Sequence, residues 1–145
     1  MKREDADLLF LIKVLDKKVC EDFDNRLAVF GLTGQQARIL FFINNMINNG
    51  KSVLQRDIEN QFHLSKSTVS GLAQRLIKND FVVRSKDGLK PTEKALNVIN
   101  KLREGREQTL NRLTQGFDEE QKRQLIEGFK HLIDNMGGYC CERKN

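Results

Sequence analysis

The residues best suited to bind something lie in one short stretch, Ser65-Lys66-Ser67-Thr68-Val69-Ser70-Gly71-Leu72-Ala73-Gln74-Arg75-Leu76. Its apolar members Val69, Leu72, Ala73 and Leu76, with Ile77 next, recur at spacings of three and four, as on one face of a helix. The other face carries Lys66, Ser67, Thr68, Ser70, Gln74, Arg75 and Lys78. All of these are hydrogen-bond donors and none is acidic. Ser65 is a hydroxyl residue suited to cap the free N–H groups where such a helix begins. A donor-rich face can be simply solvated. A helix apolar on one side and donor-only on the other also suits the major groove of DNA, whose base edges and phosphates accept hydrogen bonds.

The neighbouring elements favour the second reading. Upstream, Val53 to Phe62 reads as a short amphipathic helix with Ile58 and Phe62 inward, ending in a tight turn at His63-Leu64. Downstream, Phe81-Val82-Val83-Arg84 reads as a strand, Lys86-Asp87-Gly88 as a hairpin signal, and Leu89-Lys90 as the return strand before Pro91. A basic ribbon following a helix-turn-helix is a wing, and Arg84, Lys86 and Lys90 are its candidate phosphate or minor-groove contacts.

Charge is distributed to match. The 145 residues carry a net charge of +5, with 39% hydrophobic and 31% charged residues. Lys51 to Lys94 holds nine basic and five acidic residues, whereas the remainder holds 16 and 15. The excess therefore sits on the helix-turn-helix, where phosphate binding needs it. No apolar run approaches the roughly 20 residues that span a bilayer, and no leader sequence is evident, so a cytoplasmic location is expected. Cys20, Cys140 and Cys141 with His63 and His131 give no zinc or disulfide spacing. No metal or cofactor is expected.

The rest of the chain reads as helices. From about Asp5 to Phe30 the stripe is Leu8, Ile12, Leu15, Val19, Phe23, Leu27 and Phe30, with Leu9, Phe10 and Leu11 widening the apolar surface near its start. A helix apolar nearly all round is buried on more than one side, here plausibly by a second subunit. Gly31-Leu32 breaks it, and Thr33-Gly34-Gln35-Gln36 has capping-box spacing. The next helix has Ala37, Leu40, Phe41, Ile43 and Ile47 inward and closes at Asn49-Gly50. Thr92 caps a long helix, about Glu93 to Thr114, with Ala95, Val98, Ile99, Leu102, Leu110 and Leu113 on its stripe. Asp118 to Gln121 opens a last helix, whose apolar side is Leu125, Ile126, Phe129, Leu132, Ile133 and Met136 before Gly137-Gly138. The expected fold is mainly α with a small two-stranded β wing: a winged helix-turn-helix with flanking helices.

This order resembles the MarR family of bacterial transcription regulators. The resemblance rests on Leu32-Thr33, on Leu64 to Ser70 with Arg75-Leu76, and on Leu89-Lys90-Pro91-Thr92-Glu93-Lys94-Ala95. It implies a single MarR-like subunit over 1–145, with a DNA-binding lobe at 33–91 and interlocked dimerisation helices at 1–30 and 92–138. By position, Ser65, Lys66, Ser67, Thr68, Ser70, Gln74 and Arg75 would face the groove, and the helix before them would offer Gln55 and Arg56 to the DNA backbone. Leu8, Leu9, Leu11, Ile12, Leu15, Leu110, Leu113, Phe129, Leu132 and Ile133 would join the subunits. The resemblance further implies a homodimer on a pseudo-palindromic operator, usually as a repressor, released by a small aromatic ligand or by thiol oxidation. Phe23, Phe30, Phe41 and Phe42 could line a ligand space or belong to the core.

One departure stands out. The family wing is usually longer and carries an Asp-x-Arg element for the minor groove. Arg84 to Lys90 has none, which leaves open whether Arg84 or Lys86 replaces it or the contact is weakened. Some relatives sense oxidants through a first-helix cysteine paired with one near the C-terminus. Cys20 with Cys140 or Cys141 could follow that pattern, but Glu21 and Asp22 beside Cys20 should raise its pKa and slow its chemistry. The competing function is a winged-helix module that binds protein, with DNA binding weakened or lost. An enzyme is not indicated: there is no P-loop, Gly-x-Gly-x-x-Gly, nucleophile elbow or His-Glu-x-x-His.

Overall fold

A computed structural model describes residues 3–139, with side chains from residue 7 onward. Its elements are α1 (Arg3–Ala28), α2 (Gly34–Asn48), α3 (Gln55–Phe62), α4 (Lys66–Lys78), β1 (Val82–Ser85), β2 (Gly88–Pro91), α5 (Glu93–Leu113) and α6 (Glu119–Asn135). The expected class therefore holds: mainly helical, with one two-stranded antiparallel wing.

Local capping explains most boundaries. Thr33 and Gln36 form the reciprocal capping box of α2, at 3.2 and 3.0 Å. Asp118 and Gln121 do the same for α6, both at about 2.8–2.9 Å. Thr92 Oγ1 accepts from Ala95 N–H and donates to the Asp80 carbonyl, which ties the start of α5 to the end of α4. His63 adopts the left-handed conformation (φ 54°) that ends α3, and the Glu59 carbonyl accepts from Leu64 N–H. The tight turn between α3 and α4 follows.

Three expectations need correction. The third helix begins at Gln55, not Val53. Val53 is fully buried and lies outside the helix, and its carbonyl accepts a 2.7 Å bond from Leu89 N–H; it serves the wing instead of a helix. Phe81 is not part of the strand: its N–H bonds the Leu76 carbonyl at 2.8 Å and its ring is buried, so β1 starts one residue later. The hairpin pairs Ser85 with Gly88, placing Lys86-Asp87 at the turn's centre in place of Asp87-Gly88. Gly88 itself carries the positive φ (122°) as the first residue of β2.

The core joins α2, α3, α4, the wing, the first half of α5 and the last turn of α1. Leu27, Ile39, Ile43, Val53, Ile58, Leu76, Phe81 and Ile99 are all but inaccessible. Beyond Gly105, α5 contributes no buried residue, and neither does any part of α6. Leu110 and Leu113, on the apolar stripe of α5 and among the residues that the resemblance assigns to the dimer, are exposed at 49% and 44% in the single chain. Leu8 to Ile12, Leu125, Ile126, Phe129 and Leu132 are exposed too. Burial thus runs past the wing into α5 and ends at Gly105.

Gly88 generates a prediction. A Cβ there would lie 2.2 Å from the Val53 carbonyl oxygen, at a φ that side chains rarely adopt. Gly88→Ala should destabilise the protein by at least about 2 kcal/mol, since strain and a backbone clash coincide. Urea melts would read the loss; an unchanged midpoint would mean that the wing does not need this anchor.

Candidate nucleic-acid interface

The geometry of α4 follows from what it buries. Val69, Leu72, Ala73 and Leu76 are at most 5% exposed, and they set the rotation of the helix. At roughly 100° per residue, Ser67, Gly71, Gln74 and Lys78 then lie within about 30° of the outward direction. Ser70 and Arg75 stand about 70° to either side, and Lys66 and Thr68 lie farther round toward the flanks. Exposure agrees: Ser65, Lys66, Ser67, Thr68, Gln74 and Arg75 are open to solvent, while Ser70 is half-buried. Gly71 and Lys78 also point outward, although neither is among the groove contacts expected by position. The same helical arithmetic finds both.

Hydroxyl chemistry at the N-terminus of α4 is partly spent on the fold. Ser65 Oγ accepts from Thr68 N–H at 3.2 Å and donates to Thr68 Oγ1 at 2.8 Å. Ser65 is thus a working cap, and its own proton is committed. The Thr68 hydroxyl proton and the first-turn N–H groups of Lys66 and Ser67 remain available to an incoming anion.

The cations are freer. Among the described residues, the ion pairs involve α1, α5 and α6 only. None includes Arg56, Lys66, Arg75, Lys78, Arg84, Lys86 or Lys90. Asp57, next to Arg56, is committed: its carboxylate accepts the Leu54 N–H at 2.8 Å and caps α3. Lys94 is committed as well, donating to the Asn79 carbonyl at 2.8 Å with its ammonium 4.5 Å from the Phe81 ring centroid.

In the wing, Val83 pairs with Lys90 and Arg84 with Leu89. Directly paired residues share a face, so Lys90 and Arg84 point to opposite faces and Lys86 sits at the turn. The three wing cations are not one patch. Gln55, half-buried, and Arg56, exposed, stand in the first turn of α3.

A second feature lies between α1 and α5. Asp22 accepts from Thr109 Oγ1 at 2.5 Å, from Arg26 Nε at 3.1 Å and from Arg112 Nη2 at 3.1 Å. These donors hold the Asp22 carboxyl below its ordinary pKa, the Thr109 hydroxyl first and Arg26 next. Buried Gly105 lets Arg26 lie across α5, where a Cβ would approach its guanidinium to 2.8 Å. Around this clasp runs a groove of about 420 Å³ lined by Val19, Phe23, Leu102, Leu110 and Leu113, with Arg26 and Arg106 at its polar edge. Of the four phenylalanines considered for a ligand space only Phe23 lines it. Phe41 and Phe42 pack on the core, Phe42 edge-on to Phe62 at 5.6 Å, and Phe30 packs there too.

The Cys20 pKa is raised as expected, but from other neighbours. Asp16, one turn away, is the main cause, through its charge and a hydrogen bond, with Asp24 contributing less. Asp22 is occupied with its own partners. Cys140 and Cys141 lie outside the described residues. Among the described residues, no group of three or more His, Cys, Asp or Glu side chains could hold a metal ion, and no helix is long and apolar enough to cross a membrane.

Comparison with known proteins bears on this surface. The MarR family model matches residues 30–89, from just after α1 into the second strand of the wing. No curated protein matches the sequence. Among solved structures, a MarR family protein from Bacillus stearothermophilus is 20% identical with a TM-score of 0.74, over 94% of this chain and 98% of that one. MepR of S. aureus, solved as a complex with DNA, is 16% identical with a TM-score of 0.77, over 88% and 98%. The transcription regulator MarR from Oenococcus oeni PSU-1 is 28% identical with a TM-score of 0.56, over 88% and 98%.

The Asp22 clasp predicts a pH dependence. A carboxyl whose pKa is lowered by folding stabilises the native state above its unfolded value of about 3.9, and that stabilisation fades as pH falls through the lower native value. Asp22→Asn should therefore unfold more readily than the wild type at neutral pH, with the two curves converging below about pH 4. Thermal melts across pH would show it; a difference that persists undiminished at about pH 3 would assign the effect to packing alone.

Proposed function

The chain has the fold of MarR-family transcription regulators, and on that footing we propose that it is a sequence-specific DNA-binding regulator working as a homodimer. The observation that carries this reading is the outward face of α4. It is rich in donors and unpaired cations, and it is held at a fixed rotation by its buried stripe. Lys66 and the hydroxyls of Ser67, Thr68 and Ser70, with the first-turn N–H groups, are assigned to phosphates. Gln74 and Arg75 are assigned to base edges, as adenine and guanine readers respectively. Arg56 and Gln55 of α3 approach the backbone. Arg84, Lys86 and Lys90, divided between faces and turn, brace the wing against phosphates in place of a minor-groove arginine.

Residues 33–91 form the DNA-binding lobe on this reading, and residues 1–30 with 92–138 the dimerisation region. Support comes from the apolar side chains that the single chain leaves exposed on α1, α5 and α6, including Leu8, Ile12, Leu110, Phe129 and Leu132. Large exposed apolar side chains gathered on three helices are what an interface between subunits would cover. A two-fold dimer places its two α4 helices about one DNA turn apart, ~34 Å, on a pseudo-palindromic operator. Repression by occupancy is the simplest output. The α1–α5 groove, within the size range of small-molecule sites, is the place where an aromatic ligand would release the DNA, by altering how the dimerisation helices meet the lobe.

Selection from random duplexes by the purified protein, then titration of the winner at two salt concentrations, tests this. A two-fold-symmetric motif with a steep salt slope is expected. Gln74→Ala or Arg75→Ala should each cost about 1–3 kcal/mol on that duplex and relax preference at one position per half-site. Weak, sequence-indifferent binding would favour the protein-interaction module instead. Sedimentation should show a dimer, and Leu132→Glu with Phe129→Glu should shift it toward monomer; a wild-type monomer at micromolar concentration would remove the two-site geometry.

A further inference from the structure

Gly71 occupies the middle of α4 and is anomalous there. Glycine is among the least favourable residues in a helix interior, since it loses the most backbone freedom on folding. Its usual structural reasons are missing. Gly71 has no positive φ, and a Cβ built on it meets nothing within 4 Å. Gly88 and Gly105 have reasons inside the chain, in the Val53 carbonyl and the Arg26 side chain; Gly71 has none. Gly128 of α6 is equally open, but Gly71, half-buried, lies about 30° from the outward direction of the donor face, one turn from Ser67 on one side and from Gln74 and Arg75 on the other.

An α-helix with its side chains is roughly 10–12 Å across, and the major groove is about 12 Å wide and 8.5 Å deep. The fit is tight, so the outward line of side chains limits how far the helix sinks. A residue with no side chain on that line, flanked by the short Ser67 and Ser70, lets the backbone drop toward the groove floor. Gln74 has a side chain of modest length, so a more deeply seated helix brings its amide closer to the base edges.

We propose that Gly71 is the closest-approach point of α4 to the base pairs, a specificity-determining position that sets the depth at which Gln74 and Arg75 read DNA. This rests on the DNA-binding reading above. It makes an opposed pair of predictions: adding a side chain should strengthen the fold and weaken recognition.

The test uses full-length Gly71→Ala and Gly71→Leu, with the duplex selected by the wild type and a shuffled duplex of equal length. Gly71→Ala should raise the melting temperature by roughly 2–4 °C. It should weaken binding to the selected duplex about tenfold, on the scale of one lost base contact, and Gly71→Leu should weaken it further. Binding to the shuffled duplex, carried by phosphates, should stay within about twofold. If the wild type selects an operator and Gly71→Ala binds it equally well, the inference falls while the DNA-binding reading stands. A lowered melting temperature for Gly71→Ala would also overturn it, because the fold would then need the glycine. If the wild type selects no operator, the underlying reading fails and takes the inference with it.

Discussion

One-sided burial of α4 is the constraint on which the rest of the molecule depends. Val69, Leu72, Ala73 and Leu76 are driven into the lobe, and each large side chain among them contributes about 1.5–3 kcal/mol when buried. A helix anchored along one stripe cannot rotate without exposing it. Ser67, Gln74 and Lys78 are therefore pointed outward by the apolar residues between them. The polar face needs no partners of its own to be positioned, and its cations can stay unpaired for something external.

The surroundings of α4 keep that stripe covered. The α3 helix packs against it, and the left-handed turn at His63 sets their relation. On the other side, Phe81 folds back onto the Leu76 carbonyl and Val53 holds Leu89. Val53 thus extends the wing by a backbone contact from a segment distant in sequence. The wing is short, yet it is fixed at its base by a main-chain bond and at its exit by Thr92, which bonds the Asp80 carbonyl.

The flanking helices obey different physics. Apolar contact alone would let α1 slide along α5, since hydrophobic burial has no direction. The Asp22 clasp supplies direction, with Thr109 and Arg112 of α5 converging on one carboxylate. Gly105 permits the Arg26 side chain to lie between the helices. The clasp and the adjoining groove occupy the join between a lobe with a closed core and outer helices that leave their apolar faces uncovered.

Local chemistry was legible in the sequence. The caps at Thr33, Ser65, Thr92 and Asp118 were readable because a cap and its partner lie three residues apart. The stripes of α2, α4 and early α5 were readable because helical period depends only on spacing, and the donor face of α4 follows from residue types at that period. Distant contacts were not legible. Gln55 starts α3 because Val53 is engaged by Leu89, 36 positions on in the numbering. Gly88 takes its positive φ beside that same carbonyl, where the Asp87-Gly88 pair suggested a different turn. Asp22 and Thr109 are 87 residues apart, and neither is marked by its neighbours. For Leu110, Leu113 and the α6 stripe, periodicity showed an apolar face but not what covers it; their assignment to a second subunit came from the resemblance and not from spacing. The sequence by itself determined the elements and the chemistry of their faces, since both arise from interactions within a few residues. Only the tertiary structure decided which faces are buried, because burial depends on what the rest of the chain brings against them.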